Sequence, residues 1–437
     1  MKKLIANVLL SATILAGLSL SAVAQDTLKL PNMSYRTGPF AATGTPHQNG
    51  QLDYMTMLNE RDGGINGVKI AFDECETGYN TEKGVECYER LKSEGALVTQ
   101  PWSTGITLQV LPRTNVDKIP MFGPSYGFSA MQDGKTFKWA FNAPTSYWDG
   151  ASMIMTALGD GDVANLNGKK IAFLHLDHPY GKEPIPLFEK LAAEHGFTFL
   201  PIPVGLTEMQ NQSAQWLQIR RERPDYVIMW GWGAMNAGAV TEAVKTRYPM
   251  DQFVSVWWGA HNPDLKLVGA DGKGYRALSW NFTDSEAPVM QDIKKHVVDA
   301  GKSQIDQAGG EFDSMAYQRG VLMSVILAEA VRVAQDHAGT PNINQEQVRW
   351  GLENLNMDEA RLAELGVEGM MGPLKTTCAN HTGNAGAWMV QWDGEKFEKV
   401  SELLSADRAL IDPLVEEEAA KYAAANAPWP TNEECSM

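Results

Sequence analysis

The feature that most constrains the fold is a regular alternation of short apolar runs with amphipathic segments of helical spacing. In the first part of the chain, the apolar runs Leu28–Ser34, Val68–Phe72 and Ala96–Thr99 predict buried strands. A segment of helical spacing follows each run, and Ile119–Phe122 begins the next unit. Because strands alternate with helices through short connections, the strands should run parallel and be joined by right-handed crossovers. The sequence therefore predicts an α/β fold on a doubly wound parallel sheet.

The same alternation begins again near Tyr147, which predicts a second α/β half of similar size. Strands are expected in this half at Lys170–Leu174, Phe197–Val204, Tyr226–Trp230 and Phe253–Trp257. After Ala277–Asn281 helices dominate, and two short strands around Asp393-Gly394 predict a closing hairpin. Asp412-Pro413 predicts the start of a last helix, with aspartate as the cap and proline in the first turn.

The first 24 residues have the pattern of a cleavable export signal. Lys2 and Lys3 precede an apolar run, Leu4–Leu18, that is too short to span a bilayer, and Ala22–Ala24 matches an A-x-A cleavage site. Removing 24 of the 437 residues leaves 413, enough for two domains, and loss of two lysines changes the net charge from −16 to −18. An acidic chain disfavours nucleic acid and anionic membranes as partners. We therefore expect an exported, soluble protein without a nucleic-acid partner.

All of the cysteines lie beyond the expected cleavage site, at Cys75, Cys87, Cys378 and Cys435. An even number in an oxidising compartment predicts two disulfides, for which three connectivities are possible. We expect Cys75–Cys87 as a local bond and Cys378–Cys435 as a bond that holds the C-terminal tail. The spacing contains no C-x-x-C and no zinc pattern, so it favours structural cysteines.

The turn from Trp102 to Gly105 is the clearest candidate for ligand binding. It connects a predicted strand to a predicted helix, so hydroxyls and free backbone N–H groups meet at a helix N-terminus. Such an end favours a carboxylate or a phosphate. The same residues would also occur if Ser103 or Thr104 did no more than cap the helix.

Ligands of open α/β sheets bind beyond the carboxyl ends of the strands. Aromatic and small hydroxyl residues dominate these positions here, and charged residues are few. The positions are Tyr35–Thr37, Trp102–Gly105, Ser125–Gly127, Asp177–Tyr180, Trp230–Gly233 and Trp257–Ala260. This composition suits a small organic ligand enclosed by rings, although any one of the tryptophans alone would be more typical of a core.

Several short motifs occur along the chain in a fixed order. They are Thr37-Gly-Pro39, Asn49-Gly50, Leu58-Asn59-x-x-x-Gly63-Gly64-Ile65-Asn66-Gly67, Ser103-Thr104, Gly123-Pro124-Ser125, Tyr180-Gly181 and Asp225-Tyr226-Val227. As an ordered set covering nearly all of the mature chain, they resemble the Leu/Ile/Val-binding family of periplasmic solute-binding proteins of ABC importers. The resemblance implies a type I periplasmic binding protein, with two doubly wound parallel-sheet lobes joined by a multi-strand hinge.

The resemblance also implies how the chain is divided and what it binds. After a signal peptide at 1–24, the N-terminal lobe would comprise 25–146 and 281–386, and the C-terminal lobe 147–280 and 387–437. The protein would be a monomer without a cofactor, and it would pass a small molecule to an ABC permease in the inner membrane. It would not be an enzyme.

Individual site residues follow from the same resemblance. It implies that the Ser103-Thr104 turn and the Ser125–Gly127 loop, which includes Tyr126, bind the carboxylate of the ligand. It implies aromatic walls at Tyr180 and Trp232, and a covering side chain at Thr43.

The chain departs from the family pattern at one position. Where amino-acid binders of this type place a glutamate against the ammonium of the ligand, this chain has Trp258. Loss of that carboxylate disfavours an ordinary α-amino acid. Trp258 with Trp232 and Trp102 suits an aromatic or hydrophobic acid, or an amide. Arg36 is either a bidentate contact to a carboxylate or a solvated loop arginine.

Two alternative functions remain open. Gly123–Gly127 matches the G-x-S-x-G elbow of serine hydrolases, with Ser125 as nucleophile, although an elbow needs a helix directly after the serine. A sensory protein that hands its solute to a membrane receptor is the other alternative. His175, Asp177 and His178 could offer metal ligands, but no partner motif accompanies them and we expect no metal. Gly161–Lys169 has the wrong spacing for a phosphate-binding loop, so the chain is not expected to be the ATPase of a transporter.

Overall fold

The computed structural model of the chain describes residues 27–305, 309–432 and 435. The expected signal peptide at 1–24 lies outside these residues. Within the described part, every helix is either too short or too polar to cross a membrane.

The strands of the described chain are short in the first half and longer in the second. They are β1 (Leu28–Lys29), β2 (Asn32–Ser34), β3 (Ile70–Ala71), β4 (Glu74–Glu76), β5 (Met121–Phe122), β6 (Ala140–Phe141), β7 (Lys170–Leu176), β8 (Thr198–Val204), β9 (Tyr226–Trp230), β10 (Phe253–Ser255), β11 (Arg276–Ser279), β12 (Asn356–Met357), β13 (Leu374–Lys375), β14 (Trp388–Trp392) and β15 (Phe397–Lys399).

Helices cover both sheets. The α-helices are α1 (Ala41–Arg61), α2 (Thr81–Ser93), α3 (Thr104–Asp117), α4 (Tyr147–Leu158), α5 (Pro179–Lys182), α6 (Ile185–His195), α7 (Ser213–Glu222), α8 (Ala234–Thr246), α9 (Asn262–Lys266), α10 (Pro288–Ile293), α11 (Met315–Ala338), α12 (Gln345–Glu353), α13 (Glu359–Glu364) and α14 (Arg408–Ala425). A π-helix, Lys294–Val298, extends α10, and 3-10 turns lie at Ser129–Gln132, Val163–Leu166, Met250–Gln252, Trp257–Gly259 and Gly269–Gly272.

By the first half we mean the body built on strands β1–β6, including the later helix α11 that packs on α1. By the second half we mean the body built on the sheet of β7–β11, β14 and β15. The strands of the first half form short parallel pairings. β1 pairs with β3, β2 with β4, and β5 with β6, all in parallel. The predicted strand Ala96–Thr99 is present as irregular backbone, in which parallel bridges from Met33 to Pro101 and from Thr99 to Met121 join the pairs. The predicted α/β alternation is confirmed, with strands shorter than the apolar runs.

The second half is a seven-stranded sheet in the order β15-β14-β11-β10-β9-β7-β8. Five neighbouring strands run parallel, namely β8, β7, β9, β10 and β11. β14 pairs antiparallel with both β11 and β15. The predicted hairpin around Asp393-Gly394 is therefore confirmed, and it extends the second sheet. Parallel strands covered by helices match the doubly wound architecture expected from the alternation.

The chain passes between the two sheets at three places, after β6, after β11 and before β14. The crossings touch one another, because Asn281 bridges Met371 and Ala385 N donates to Pro144 O at 3.0 Å. This is a multi-strand connection of the kind expected for a hinge. The lobe boundaries remain a prediction.

Glycines let two long helices of the first half pack closely. A Cβ on Gly50 of α1 would lie 2.0 Å from the carbonyl oxygen of Tyr317, and a Cβ on Gly320 of α11 would lie 2.0 Å from that of His47. Any larger residue at either position would push the helices apart. The close packing brings the first turns of α11 next to α1.

The last helix contacts both halves. Arg408 pairs with Asp149 of α4 at 2.7 Å, and the ring of Tyr422 lies 5.2 Å from that of Phe137 in the first half. The predicted start of this helix at Asp412-Pro413 is wrong. Asp407 caps α14 by accepting from Leu410 N at 3.3 Å, so Pro413 lies inside the helix.

Both expected disulfides are present. Cys75–Cys87 joins β4 to α2, and Cys378–Cys435 links the end of the described tail to the segment before β14. The first bond closes a loop with a sequence separation of 12 and the second a loop with a separation of 57. Each is therefore a structural crosslink, as the spacing predicted.

Candidate functional site

Aromatic side chains from both halves meet at the carboxyl ends of the strands, in a cluster that we call the interlobe cage. Its first-half members come from loops beside β2, β4, β5 and α3, and its second-half members come from α4, α5 and the loops after β9 and β10. The cage consists of Tyr35, Tyr79, Trp102, Tyr126, Tyr147, Tyr180, Trp232 and Trp258, each of which is buried.

Ring contacts cross from one half to the other. The Tyr126 and Trp258 centroids are 4.5 Å apart, and those of Tyr35 and Trp232 are 6.1 Å apart. Within the first half the Tyr35 and Tyr126 hydroxyls share a 2.7 Å hydrogen bond. Within the second, Trp258 Nε1 donates to the Tyr147 hydroxyl at 3.1 Å. The halves are thus closed against each other, with polar atoms distributed among the rings.

Ser103 and Thr104 begin α3 at the edge of the cage. Ser103 occupies the N-cap position with extended backbone, but its side chain forms no capping hydrogen bond. Both hydroxyls are buried without a well-formed hydrogen bond, although Ser103 lies next to the Tyr79 hydroxyl and Thr104 next to the Tyr147 hydroxyl. Nε1 of the adjacent Trp102 is also buried without a partner. The interpretation of Ser103 as a simple cap is therefore wrong, since its hydroxyl is available to another group. The orphan amides of the first turn add further donors.

Ser125 follows β5 in a turn of unusual conformation. Its φ is +57°, a left-handed value that side chains other than glycine rarely adopt. Ser125 N donates to Asn142 O at 3.1 Å, while the Ser125 hydroxyl and both side-chain polar atoms of Asn142 lack partners. Strained backbone of this kind concentrates at ligand sites. Ser125 and Asn142 therefore add three unpartnered polar atoms to the same region.

Tyr180 and Trp232 lie where aromatic walls were expected. The Tyr180 hydroxyl donates to Gly231 O at 3.0 Å, and Trp232 Nε1 is buried without a partner. The next residue, Gly233, has a φ of +58° and lies so close to the first half that a Cβ there would be 2.8 Å from Pro39 O. Glycine is required at this contact between the halves.

Two expected site residues are placed differently from the rest. Arg36 forms a bidentate pair with Glu74, at 2.5 and 3.0 Å, and donates to Asn49 Oδ1 at 2.8 Å. Its guanidinium is bound on both edges, so Arg36 is a structural residue of the first half. Thr43 is buried in the first turn of α1, where its N–H bonds Phe40 O at 3.3 Å.

Sequence reasoning missed two buried polar residues beside the cage. His47 of α1 packs against Trp102, with centroids 4.5 Å apart, and its Nε2 lies 2.9 Å from Met323 Sδ. Arg319 of α11 is 2% exposed, and its guanidinium carbon lies 4.9 Å from the Trp258 centroid. Burial and, secondarily, the charge of Arg319 hold the pKa of His47 well below its usual range. His47 is therefore neutral at pH 7.

A sequence signal for Arg319 did exist. It is the one charged residue between Met315 and Ala328, a mostly apolar stretch of the chain. A charge at such a position is buried with the helix, and buried charges require a partner.

The electrostatics of the cage are those of neutral rings around one cation. Burial raises the pKa of Tyr35, Tyr126, Tyr147 and Tyr180 far above the ordinary value, so these hydroxyls stay protonated. Burial also raises the pKa of Glu183, which acts on Tyr147, to about 8. The cage itself contains no carboxylate. Such a site offers hydrogen-bond donors and aromatic faces, which suit an acidic or carbonyl-bearing molecule better than a cation.

A surface cavity adjoins the cage at Thr104. It has a volume of about 250 Å³ and is lined also by Phe128, Trp148, Pro179 and Glu183. Phe128 belongs to the first half and the other three to the second, so the cavity lies in the seam between them.

Ser125, His175 and His178 are the residues weighed for other chemistries, and His178 packs against Tyr79 of the cage, with ring centroids 5.4 Å apart. Ser125 is followed by a 3-10 turn at Ser129–Gln132 rather than a helix directly after the serine. His175 Nδ1 lies 3.1 Å from Leu176 O, and His178 Nδ1 accepts from Tyr180 N at 3.2 Å. The two imidazoles are therefore each engaged with nearby backbone.

The sequence pattern of the periplasmic binding protein family matches residues 27–397, which is most of the chain. The chain belongs to the periplasmic binding protein family. The resemblance seen in the ordered motifs is thereby confirmed, as is the type I α/β fold. A ligand-binding role is the common property of this family, and a periplasmic location is implied by it.

Solved structures agree with this assignment. A protein of the Pseudomonas fluorescens group described as an ABC transporter permease is 36% identical to this periplasmic binding protein, with a TM-score of 0.85 over 93% of this chain and 99% of that one. A branched-chain amino acid ABC transporter from Thermus thermophilus with bound valine is 20% identical, with a TM-score of 0.76 over 89% and 99%. A solute-binding protein from R. palustris in complex with benzoate is 17% identical, with a TM-score of 0.67 over 88% and 98%. Among curated proteins, no sequence matches.

Proposed function

We propose that this periplasmic binding protein captures a small organic acid or amide in the interlobe cage and delivers it to an ABC permease. The observation that carries the proposal is the group of buried polar atoms without partners at one aromatic site between two hinged halves. These atoms belong to Trp102, Ser103, Thr104, Ser125 and Trp232. A buried donor left unpaired is costly, so such a concentration favours a site that a polar ligand completes.

The chemistry of the cage favours some ligand classes over others. Ser103, Thr104 and Ser125 offer hydroxyls to a carboxylate or carbonyl oxygen, and the α3 amides add to them. Tyr126, Tyr180, Trp232 and Trp258 would enclose the apolar remainder. An ordinary α-amino acid is disfavoured because the cage has no carboxylate to pair with an ammonium group. Proteins of this fold are known with valine and with benzoate, and the composition of this cage favours the second type.

Closure follows from contacts that both halves make with one molecule. A ligand bound to Ser103 on one side and to Trp232 on the other stabilises the closed form by its differential affinity for the two states. The closed form would be the one that the permease recognises. We propose that the protein works as a periplasmic monomer, exported through residues 1–24, without a cofactor.

We propose that the protein catalyses no reaction. The Ser125 hydroxyl has no hydrogen-bond partner, so within the described residues no histidine activates it as a base would. A fluorophosphonate probe should leave Ser125 unlabelled. Labelling at Ser125, with turnover of esters, would instead favour the hydrolase. Neighbouring genes for a permease and an ATPase would favour transport over a sensory role.

The binding function is tested by a thermal-shift screen of the mature protein. The panel should contain amino acids, aromatic acids, amides and urea. A ligand at 100 times its dissociation constant adds about 2.7 kcal/mol to the free energy of unfolding. We expect an acid or an amide to raise the unfolding temperature more than leucine does. If no small molecule of any class raises it, the proposed function is wrong.

A further inference from the structure

Arg319 is buried at the edge of the interlobe cage. It lies one turn into α11, and the glycine-mediated packing of α11 on α1 holds it there. Nε donates to Asn281 Oδ1 at 2.8 Å and one terminal nitrogen lies 3.4 Å from Ser279 Oγ. These neutral partners lie at the crossing between the halves. The guanidinium is therefore held in a fixed position next to Trp258.

Arg319 has no acidic partner among the residues that the structure describes. The other buried arginine, Arg349, pairs with Glu353 and Glu346, and Arg36 pairs with Glu74. Asp53, the buried acid of α1, accepts hydrogen bonds from Ser303 and Tyr317 instead. Arg319 is thus a buried cation neutralised by no carboxylate of this part of the chain.

The surroundings of Arg319 compensate the charge incompletely. Its guanidinium carbon lies 4.9 Å from the Trp258 centroid and 5.8 Å from that of Trp280, distances at which cation–π attraction operates. Burial still lowers the pKa of Arg319 to about 9. The side chain is consequently charged at pH 7 and destabilised by its loss of water.

Arg319 borders the cage through Trp258, whose ring lies 4.5 Å from that of Tyr126 and 4.6 Å from that of Trp232. The tyrosine hydroxyls of the cage are protonated at neutral pH, so they do not neutralise the guanidinium. A ligand held among these rings would therefore lie within reach of the positive charge of Arg319. An anion placed there meets a preformed counter-charge and need not immobilise a flexible side chain.

We propose that Arg319 is the counter-charge for an anionic group of the ligand, and that it restricts the cage to organic anions that lack an ammonium group. This inference rests on the proposed binding function and narrows it. An amino acid would place its ammonium near Trp258 and hence near the guanidinium, and two like charges in a buried site repel. Arg319 would thus have the opposite effect to the glutamate that the family resemblance implies for amino-acid binders.

The test compares three arginine variants with three probes. Arg319→Met keeps the length of the side chain without charge, and Arg319→Lys keeps the charge without the planar fork. Arg332→Met is the matched control, since Arg332 is on the same helix outside the cage and its partner Glu329 retains Arg361. The probes are benzoate, benzamide and leucine, measured by calorimetry and thermal shift.

Benzoate should bind to the wild-type protein more tightly than benzamide or leucine does. Its affinity should fall about 100-fold in Arg319→Met, about 10-fold in Arg319→Lys, and remain unchanged in Arg332→Met. Benzamide should lose little affinity in either Arg319 variant. Circular dichroism shows whether each variant is folded. If Arg319→Met is not folded, the test is the ratio of benzoate to benzamide affinity in Arg319→Lys, which should be lower than in the wild-type protein if Arg319 is the counter-charge.

Three results would overturn the assignment. They are binding of benzamide or leucine without benzoate, retention of benzoate affinity in both Arg319 variants, and an equal loss in Arg332→Met. In these cases the protein still binds a small molecule, so the proposed function survives. If none of the three probes binds, the assignment of a benzoate-like anion as the ligand is also wrong. The proposed function itself is rejected separately, if the wider panel also gives no shift.

Discussion

Tyr126 and Trp258 pack ring against ring at 4.5 Å, although they belong to different halves of the molecule. Tyr126 follows the strained Ser125 turn, and Trp258 follows β10 in a 3-10 turn. The contact therefore joins the loop that carries the unpartnered Ser125 hydroxyl to Trp258, whose ring packs against the Arg319 guanidinium. We therefore expect a ligand that contacts any one of these groups to influence the closure of the halves.

Two serines at helix N-termini allow the binding role of Ser103 to be separated from capping. Ser103 lies at the N-cap of α3 without a capping bond, while Ser146 caps α4 in a full capping box with Asp149. Ser103→Ala should weaken ligand binding about 10- to 100-fold, the effect of losing one hydrogen bond to a charged group. It should leave the ligand-free free energy of unfolding unchanged, because it removes an unpaired hydroxyl.

Ser146→Ala should behave in the opposite way. It should cost about 1 kcal/mol of stability through loss of the cap and leave affinity unchanged. Calorimetric titration with the best ligand of the panel and thermal unfolding without ligand measure both quantities. Unchanged affinity in Ser103→Ala would remove Ser103 from the site.

Gly233 offers a test of closure. In Gly233→Ala the new Cβ would lie 2.8 Å from Pro39 O and 2.9 Å from Phe40 Cδ1, both in the other half. The halves should then fail to close fully, and ligand affinity should fall more than about 10-fold. In small-angle scattering, the variant with ligand should keep the larger radius of gyration of the open form.

Gly269→Ala is the matched control for that variant. Gly269 has a similar φ of +52°, and its Cβ would meet nothing within 4 Å. Both substitutions should therefore cost about 1 to 2 kcal/mol of stability through backbone strain. A normal compact form of Gly233→Ala with ligand would show that the contact with Pro39 does not control closure.

Much of the fold was predictable because it depends on local periodicity. The alternation of strands and helices and its restart at Tyr147 coincide with the two sheets and the start of α4. The Trp102–Gly105 turn and Ser125 were predictable as site candidates for the same reason. Each lies just past a strand, where the sheet geometry places ligands.

The contribution of Arg319 was not predictable by that rule. Arg319 lies inside a long helix, and it reaches the cage because Gly50 and Gly320 allow α11 to approach α1. The pairing of Arg36 with Glu74, between the loop after β2 and strand β4, was likewise not visible in the sequence. Both outcomes depend on contacts between residues far apart in sequence, which local spacing does not encode.

We expect Glu183 to make the stability of the closed protein sensitive to pH. Its Oε1 accepts from Ser129 N in the other half at 2.7 Å, and its Oε2 is buried without a partner. Burial raises its pKa from an ordinary 4.5 to about 8. Because the folded protein holds this proton more tightly than the unfolded chain, the stabilisation is complete below about pH 4.5 and is lost as pH rises to about 8.

Glu183→Gln keeps a hydrogen-bond acceptor for Ser129 N and cannot ionise. Its free energy of unfolding should therefore fall less than that of the wild-type protein between pH 5 and 8, by about 1 to 3 kcal/mol. Glu189→Gln, which removes an exposed carboxylate from α6, controls for the loss of one negative charge. Denaturant unfolding at several pH values gives the three profiles. If the Glu183→Gln profile runs parallel to that of the wild-type protein, the Glu183 carboxyl is already ionised at neutral pH and does not make stability depend on pH.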